Sequence, residues 1–158
     1  MRKILFAACS AASVVVAAPV WATTFPSLTT IYIVPGVVDS GDANNVGVAT
    51  AFQCSNVSGV TTEIRFLVLS ETGAVLGSVT VASVLHGATI QVSTHFTNPY
   101  INETALIIGT VLNTGVVNME SLQSAVFCTA PIIDAAAVNP DGVTPHIIRV
   151  NPNPGSVE

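Results

Sequence analysis

The main pattern along the chain is an alternation of apolar residues with polar or small ones, with a period of two. It is clearest over Val46–Cys54, Val60–Val68 and Thr89–Phe96. A period of two predicts β-strands with one face toward a core, because successive side chains of a strand point to opposite faces. In the third segment the alternation predicts that three residues point inward: Ile90, Val92 and Phe96. It predicts that the residues between them point outward: Gln91, Ser93 and His95.

Turn residues divide the chain between these strands. Ser70–Gly73 predicts a hairpin turn in which Gly73 takes a positive φ, and Leu85–Ala88 predicts a second tight turn. Asn98–Asn102 interrupts the alternation and is typical of a longer loop. The other predicted strands lie at both ends of the chain and in its second half: Thr30–Val34, Val75–Val84, Ala105–Leu112, Leu122–Ala130 and Ile147–Val150.

Asn113–Gly115 predicts a hairpin turn between two of these later strands, and Val116–Met119 extends one or the other of them. No convincing helical periodicity follows residue 22. Several short alternating segments joined by glycine and asparagine turns indicate an all-β sandwich or barrel. We expect a sandwich of about seven or eight strands.

The N-terminus predicts a secretory signal peptide over residues 1–22. Arg2 and Lys3 form its positive region, and Ile4–Ala18 is an uncharged apolar run that ends before a proline. Pro19–Ala22 offers a cleavage site with a small residue at its end. The alternative is a membrane anchor, but a span needs about 20 apolar residues and this run is shorter.

Cleavage after Ala22 gives the expected domain organisation. Residues 23–150 would form the β-sandwich domain, and the proline-rich residues 151–158 a C-terminal tail. We expect a periplasmic or extracellular protein without a membrane span after cleavage.

The charge of the mature chain excludes one class of partner. Arg2 and Lys3 leave with the signal peptide, so Arg65 and Arg149 stand against nine acidic side chains, a net charge of about −7. Such a chain has no electrostatic route to phosphate backbones, so nucleic acid binding is excluded.

The cysteines predict a disulfide. Cys9 leaves with the signal peptide, and Cys54 and Cys128 remain, an even number in an exported chain. Cys54 is in phase with Phe52, and Cys128 with Val126, on the apolar faces of their strands. Two thiolate metal ligands are the alternative, but the sequence has no CxxC pair and no histidine at ligand spacing to complete a site.

Two cysteines at inward positions of different strands resemble the immunoglobulin-like sandwich and its bridge between sheets. Phe66 follows Cys54 by twelve residues, where antibody domains have a buried tryptophan. The mature chain has no tryptophan, and Val126 stands at the tyrosine-corner position, so the resemblance is one of architecture. It implies an immunoglobulin-like antiparallel β-sandwich with one inter-sheet disulfide.

The chain also resembles a family of small secreted bacterial β-sandwich proteins of unknown function. Four segments carry this resemblance: Phe52–Asn56, the hairpin glycine Gly73, Ser124–Ala130 and Arg149–Pro152. The resemblance covers most of the mature chain and implies a fold and an exported location. It implies no activity and no cofactor.

The loop over residues 39–45 is the most polar cluster. Asp39, Asp42 and Asn44 carry oxygen atoms of the kind that bind Ca²⁺. The loop lacks the central glycine and the closing glutamate of an EF-hand, and its residues are also those of ordinary turns. We therefore expect a turn, with a calcium site as the alternative.

The other candidates are isolated residues. His86 lies in a turn, His95 on an outward strand position and His146 beside Pro145, without the spacing of metal ligands. No G-x-S-x-G nucleophile motif is present. Tyr100, in the loop after the third alternating segment, is a candidate contact for a sugar or a protein partner, although ordinary loop packing is favoured.

The sequence therefore predicts a non-catalytic, cofactor-free interaction or structural module of the bacterial cell envelope, with an unidentified protein or glycan partner. The alternative is a small ligand- or calcium-binding domain that uses residues 39–45. A pilus-type subunit would need an incomplete sandwich and a free donor strand, for which Thr23–Val34 is the only candidate segment.

Overall fold

The computed structural model describes residues 28–41, 44–139, 141–144 and 147–150, which form strands and no helix. In these residues no helix has the length and apolar character of a membrane span. The strands, in chain order, are β1 Thr29–Asp39, β2 Val48–Asn56, β3 Thr62–Ser70, β4 Val75–Val84, β5 Thr89–Ser93, β6 Thr104–Ala105, β7 Leu112–Ser121, β8 Val126–Thr129, β9 Ile132–Asp134, β10 Gly142–Val143 and β11 Ile148–Arg149.

These strands form two sheets. The first has the order β11-β1-β7-β3-β4, and the second has the order β10-β9-β2-β5-β6, with β8 also paired to β2. All neighbours are antiparallel except β5 and β6, which run parallel. The predicted all-β sandwich is confirmed, with eight strands of three residues or more in the described part.

The hairpin of β3 and β4 forms as its sequence predicts. The strand predicted over Val75–Val84 has those bounds in the structure. Gly73 takes a φ of 81°, and its N–H donates to the Ser70 carbonyl at 2.9 Å. A residue with a side chain would be strained at this φ, which is why the turn needs glycine.

The strand predicted over Ala105–Leu112 and the turn predicted at Asn113–Gly115 are wrong. Asn113–Gly115 lies inside the long strand β7. Gly115 serves close packing there, because a Cβ on it would lie 2.8 Å from the Leu69 carbonyl oxygen. The backbone before β7 instead takes a positive φ of 64° at Gly109.

The main core lies between the two sheets. Phe52 of β2 and Phe66 of β3 are fully buried, and their ring centroids are 5.6 Å apart. Full burial of such a side chain stabilises the fold by about 1.5–3 kcal/mol. The sheets are also joined by the Tyr32 hydroxyl on β1, which donates to the Val126 carbonyl of β8 at 2.8 Å.

A second, smaller cluster covers the outer face of the second sheet. Its members come from β2 and from segments outside the main core: Ala49, Ala51, Tyr100, Ile133 and Ala135. Ala49 and Ala51 of β2 are fully covered by these segments, whereas Gln53 and Ser55, further along the same face, are partly exposed. The second sheet is therefore buried on both faces only around Ala49–Ala51.

The disulfide between Cys54 and Cys128 is confirmed, but its predicted position between the sheets is wrong. The two cysteines stand opposite each other on β2 and β8, which are neighbouring strands of the second sheet. Their Cα atoms are 4.2 Å apart, a short spacing typical of a non-hydrogen-bonded antiparallel pair. An inward position identifies the face of a cysteine but not the strand beside it.

Some predictions fall on residues outside the described ranges. They concern the signal peptide over residues 1–22 and the tail over 151–158. The described part of the proposed donor segment, from Thr29 onward, belongs to β1 and pairs with β7 inside its own sheet.

Candidate functional site

Asp39 and His95 form a buried polar pair where the two sheets meet. Asp39 is the last residue of β1, His95 follows the end of β5, and their side chains are 2% and 6% exposed. His95 Nδ1 lies 2.8 Å from Asp39 Oδ2, and His95 Nε2 lies 3.0 Å from the Val46 carbonyl oxygen. The imidazole of His95 therefore connects Asp39, at the end of β1 in the first sheet, to Val46, which precedes β2 of the second sheet.

The other carboxylate oxygen of Asp39 is also engaged. The Gly41 N–H donates to Asp39 Oδ1 at 2.6 Å, which closes a local turn. Nearby, the Asn45 N–H donates to the Phe96 carbonyl at 2.7 Å. The Asp39–His95 pair thus holds the start and the end of the loop between β1 and β2 against the segment after β5.

A shallow cavity of about 250 Å³ opens beside this pair. Asn44 and Thr94 contribute polar atoms to its wall, and Ile107 and Ile108 contribute apolar ones. Its two ionisable side chains, Asp39 and His95, are already hydrogen-bonded to each other. The cavity consequently has few polar groups left to bind a ligand.

The calcium alternative centred on this loop. Asp39 is buried with both oxygens hydrogen-bonded, Asn44 is exposed, and Asp42 lies outside the described residues. No group of three or more histidine, cysteine, aspartate or glutamate side chains converges as a metal site in the described part. The calcium site remains a prediction that these contacts do not support.

Ser93 lies on the outer face of its strand as predicted, opposite Ala51, and the loop after β5 buries it. The positions predicted for His95 and Phe96 are wrong: His95 is 5% exposed, whereas Phe96, predicted inward, is 38% exposed. The cause is that β5 ends at Ser93, so the alternation cannot be extended through the bend that follows. Val92, inside the strand, is buried as predicted.

A second polar cluster centres on the carboxylate of Glu103. It accepts hydrogen bonds from the Ser93 hydroxyl at 2.5 Å, from the Thr97 hydroxyl at 3.0 Å and from the Thr97 N–H. These bonds fix the loop after β5 onto the outer face of the second sheet. Glu103 is not recognisable from the sequence, because its three donors belong to residues that carry no motif.

Tyr100 lies in the same loop and packs inward. Its side chain belongs to the outer cluster and is 8% exposed, so ordinary loop packing, the favoured interpretation, is what the structure has. Burial raises the pKa of Tyr100 above 10.0; the negative charge of Glu103 adds to the rise, and a hydrogen bond with Gln53 opposes it.

Two arginines make further charged contacts among the described residues. Arg65 and Glu120, on neighbouring strands β3 and β7, form an ion pair on the outer face of the first sheet. Arg149 donates to the Ser124 carbonyl at 3.2 Å and lies 5.6 Å from the ring centroid of Phe127. His86, in the turn after β4, accepts from the Gly59 N–H at 3.1 Å, and His146 lies outside the described residues.

Comparison with protein family models, with curated proteins and with solved structures finds no significant match. The interpretation of the site therefore depends on its own geometry.

Proposed function

We propose that this chain is a non-catalytic interaction or structural module, exported to the bacterial cell envelope. The observation that carries the proposal is the state of the buried polar groups. In the described part, every buried side-chain nitrogen or oxygen atom has a hydrogen-bond partner within the chain. Active sites and ligand pockets usually present convergent polar groups to their substrate, and here such groups serve the fold.

The Asp39–His95 pair has two members of a hydrolytic triad and lacks the third. In a triad, the ring nitrogen that faces away from the carboxylate accepts the proton of a nucleophilic hydroxyl. That nitrogen of His95 faces the Val46 carbonyl oxygen instead. The contact supports a structural role for the pair.

Export is proposed from the N-terminal charge and hydropathy pattern and from the disulfide, since disulfides persist in oxidising compartments. The small secreted bacterial sandwich proteins that the chain resembles are also exported. The full-length chain, expressed in a bacterium and fractionated, should yield an envelope or secreted species that begins at Thr23 and has no free thiol. A cytosolic, full-length, reduced product would contradict export.

The non-catalytic role is tested by screening the mature protein for hydrolysis of ester, peptide and glycoside substrates, with His95→Gln as the control. We expect no turnover above buffer. Turnover that disappears in His95→Gln would overturn the proposal.

The calcium alternative is checked with the same protein. We expect millimolar Ca²⁺ to leave the melting temperature unchanged. Binding of Ca²⁺ to the native state would instead raise the melting temperature by mass action. A rise that disappears in Asp42→Ala would replace the proposal with the ligand-binding alternative.

A further inference from the structure

Strand β4 forms one end of the first sheet and pairs with β3 alone among the described strands. Its ten residues include no charged side chain and no proline. Val79 and Val81 pack against the core, while Ser78, Thr80 and Ala82 are exposed. Between the register shift at Leu76 and the positive φ of 59° at Ser83, the outer side of Gly77–Ala82 offers a row of backbone donors and acceptors to a further strand.

The other four strands that have a single neighbour among the described strands are built differently. β8 pairs with β2 alone, is four residues long, and has Arg149 over the ring of its Phe127. β11, β10 and β6 are two residues long, and Arg149, Asp141 and Glu103 place a charge in or next to each of them. Short edge strands and charged residues prevent sheets of different molecules from pairing. β4 has neither of these protections, and irregularities of its register are confined to its two ends, at Leu76 and at Ala82–Ser83.

We propose that β4 pairs antiparallel with β4 of a second copy of this chain, joining two five-stranded sheets into one continuous sheet. This inference rests on the proposed function, because it identifies the partner of the interaction module as the chain itself.

The residues of β4 suit pairing with themselves. A two-fold axis at Thr80 places Thr80 opposite its counterpart and Ser78 opposite Ala82 of the second copy, and no charges face each other. Cross-strand pairs of threonine and serine stabilise a sheet, whereas like charges directly opposite destabilise it. The mature chain is acidic, so the uncharged β4 edge is a surface where two copies meet without repulsion.

A second copy also provides a partner strand of matching length that is already ordered. A flexible peptide would lose conformational entropy when it adopts an extended structure on binding, and this loss weakens its affinity. A preformed strand avoids most of that cost. A second copy is therefore favoured over an extended segment of another protein.

The test uses the oxidised mature protein in sedimentation velocity from micromolar to submillimolar concentrations. We expect a dimer for the wild-type chain. Ser78→Lys/Ala82→Lys and Ser78→Glu/Ala82→Glu should each raise the dimer dissociation constant at least about ten-fold, because like charges then face each other in the pairing row. An equimolar mixture of the two variants should form a mixed dimer, because the facing charges are then opposite.

The matched controls are Asn102→Lys/Thr129→Lys and Asn102→Glu/Thr129→Glu, which add the same charges at exposed residues away from β4. We expect both to remain dimers. Hydrogen exchange of the wild-type chain adds a readout without substitution, because the backbone amides of Ser78–Ala82 should become more protected as concentration rises.

A wild-type chain that stays monomeric would overturn self-association and leave the non-catalytic proposal standing. Dimers that survive in the β4 variants, dissociate in the controls, or fail to re-form in the mixture would overturn the assignment to β4. Enzymatic turnover would contradict the proposed function without affecting the dimer.

Discussion

The second sheet packs on the main core with its inner face and is covered on part of its outer face, and different interactions bury the two. On the inner face Phe52, Cys54 and Val92 pack against the first sheet in a large apolar core. On the outer face Ala49 and Ala51 lie beneath a loop that the hydrogen bonds of Glu103 fasten to the sheet. Inner-face burial depends on side-chain volume, and outer-face burial depends on small residues and a few directional bonds.

The stability of the whole fold and the order of the outer loop therefore depend on different interactions. Apolar burial between sheets involves many side chains and stabilises the whole fold. The outer cover, the loop over residues 94–103, is held by the Glu103 carboxylate and by hydrogen bonds from Asn98 to the Ala135 and Ala136 carbonyls. Loss of these few bonds should open the loop before it unfolds the sandwich.

The contribution of the inner face to stability is tested by removing the disulfide between Cys54 and Cys128, which lies on that face. Cys54→Ala/Cys128→Ala should lower the free energy of unfolding by about 2–5 kcal/mol, because the crosslink restricts the unfolded chain. Urea unfolding followed by circular dichroism measures this. We expect the variant to keep its strands and its oligomeric state, since the cysteines serve the fold. An unchanged unfolding midpoint would show that the bridge contributes nothing to this face.

The outer face is tested by Glu103→Gln, which removes the charge that accepts three hydrogen bonds. We expect a loss of about 1–3 kcal/mol in the free energy of unfolding, because hydrogen bonds to a charged group are the stronger ones. Hydrogen exchange should rise in residues 94–103 more than in β3 or β7.

Glu71→Gln is the matched control, because Glu71 is exposed in the turn between β3 and β4. It should change the free energy of unfolding by less than about 0.5 kcal/mol. Equal effects of the two substitutions would remove the distinction between the outer cover and ordinary surface.

The same contrast explains how much of the fold the sequence predicts. Alternation identified the inward residues of β3, such as Ile64 and Phe66, because one face of that strand meets a continuous core. It could not identify β7, because Gly115 serves close packing inside a strand and resembles a turn residue in the sequence. It also could not give strand order, so the disulfide was predicted correctly as a pair and wrongly as an inter-sheet bridge.

The candidate site shows the same limit. Asp39 and His95 were both named, but they are 56 residues apart in sequence and meet only through the packing of the two sheets. His95 also lies beyond the end of its strand, where a period of two no longer applies. Side chains fixed by tertiary contacts, including Glu103, give no local signal.

The smallest expected effect concerns Tyr100, and it tests whether the outer cover is closed in solution. Burial raises the pKa of its phenol above 10.0, so the folded chain holds the phenolic proton more tightly than the unfolded chain does. The stabilisation from this difference is fully present below the unfolded pKa, near 10, and is lost as the pH rises through the folded pKa.

The free energy of unfolding should therefore fall with rising pH above about 10, and the fall should be shallower in Tyr100→Phe. Urea unfolding of both proteins between pH 9 and pH 11 measures the difference. Absorbance of the phenolate, compared between the wild-type chain and Tyr100→Phe, isolates Tyr100 from Tyr32, the other tyrosine. A Tyr100 that titrates at its ordinary value would mean that the loop after β5 leaves the sheet in solution, because a solvated phenol has no cause for a raised pKa.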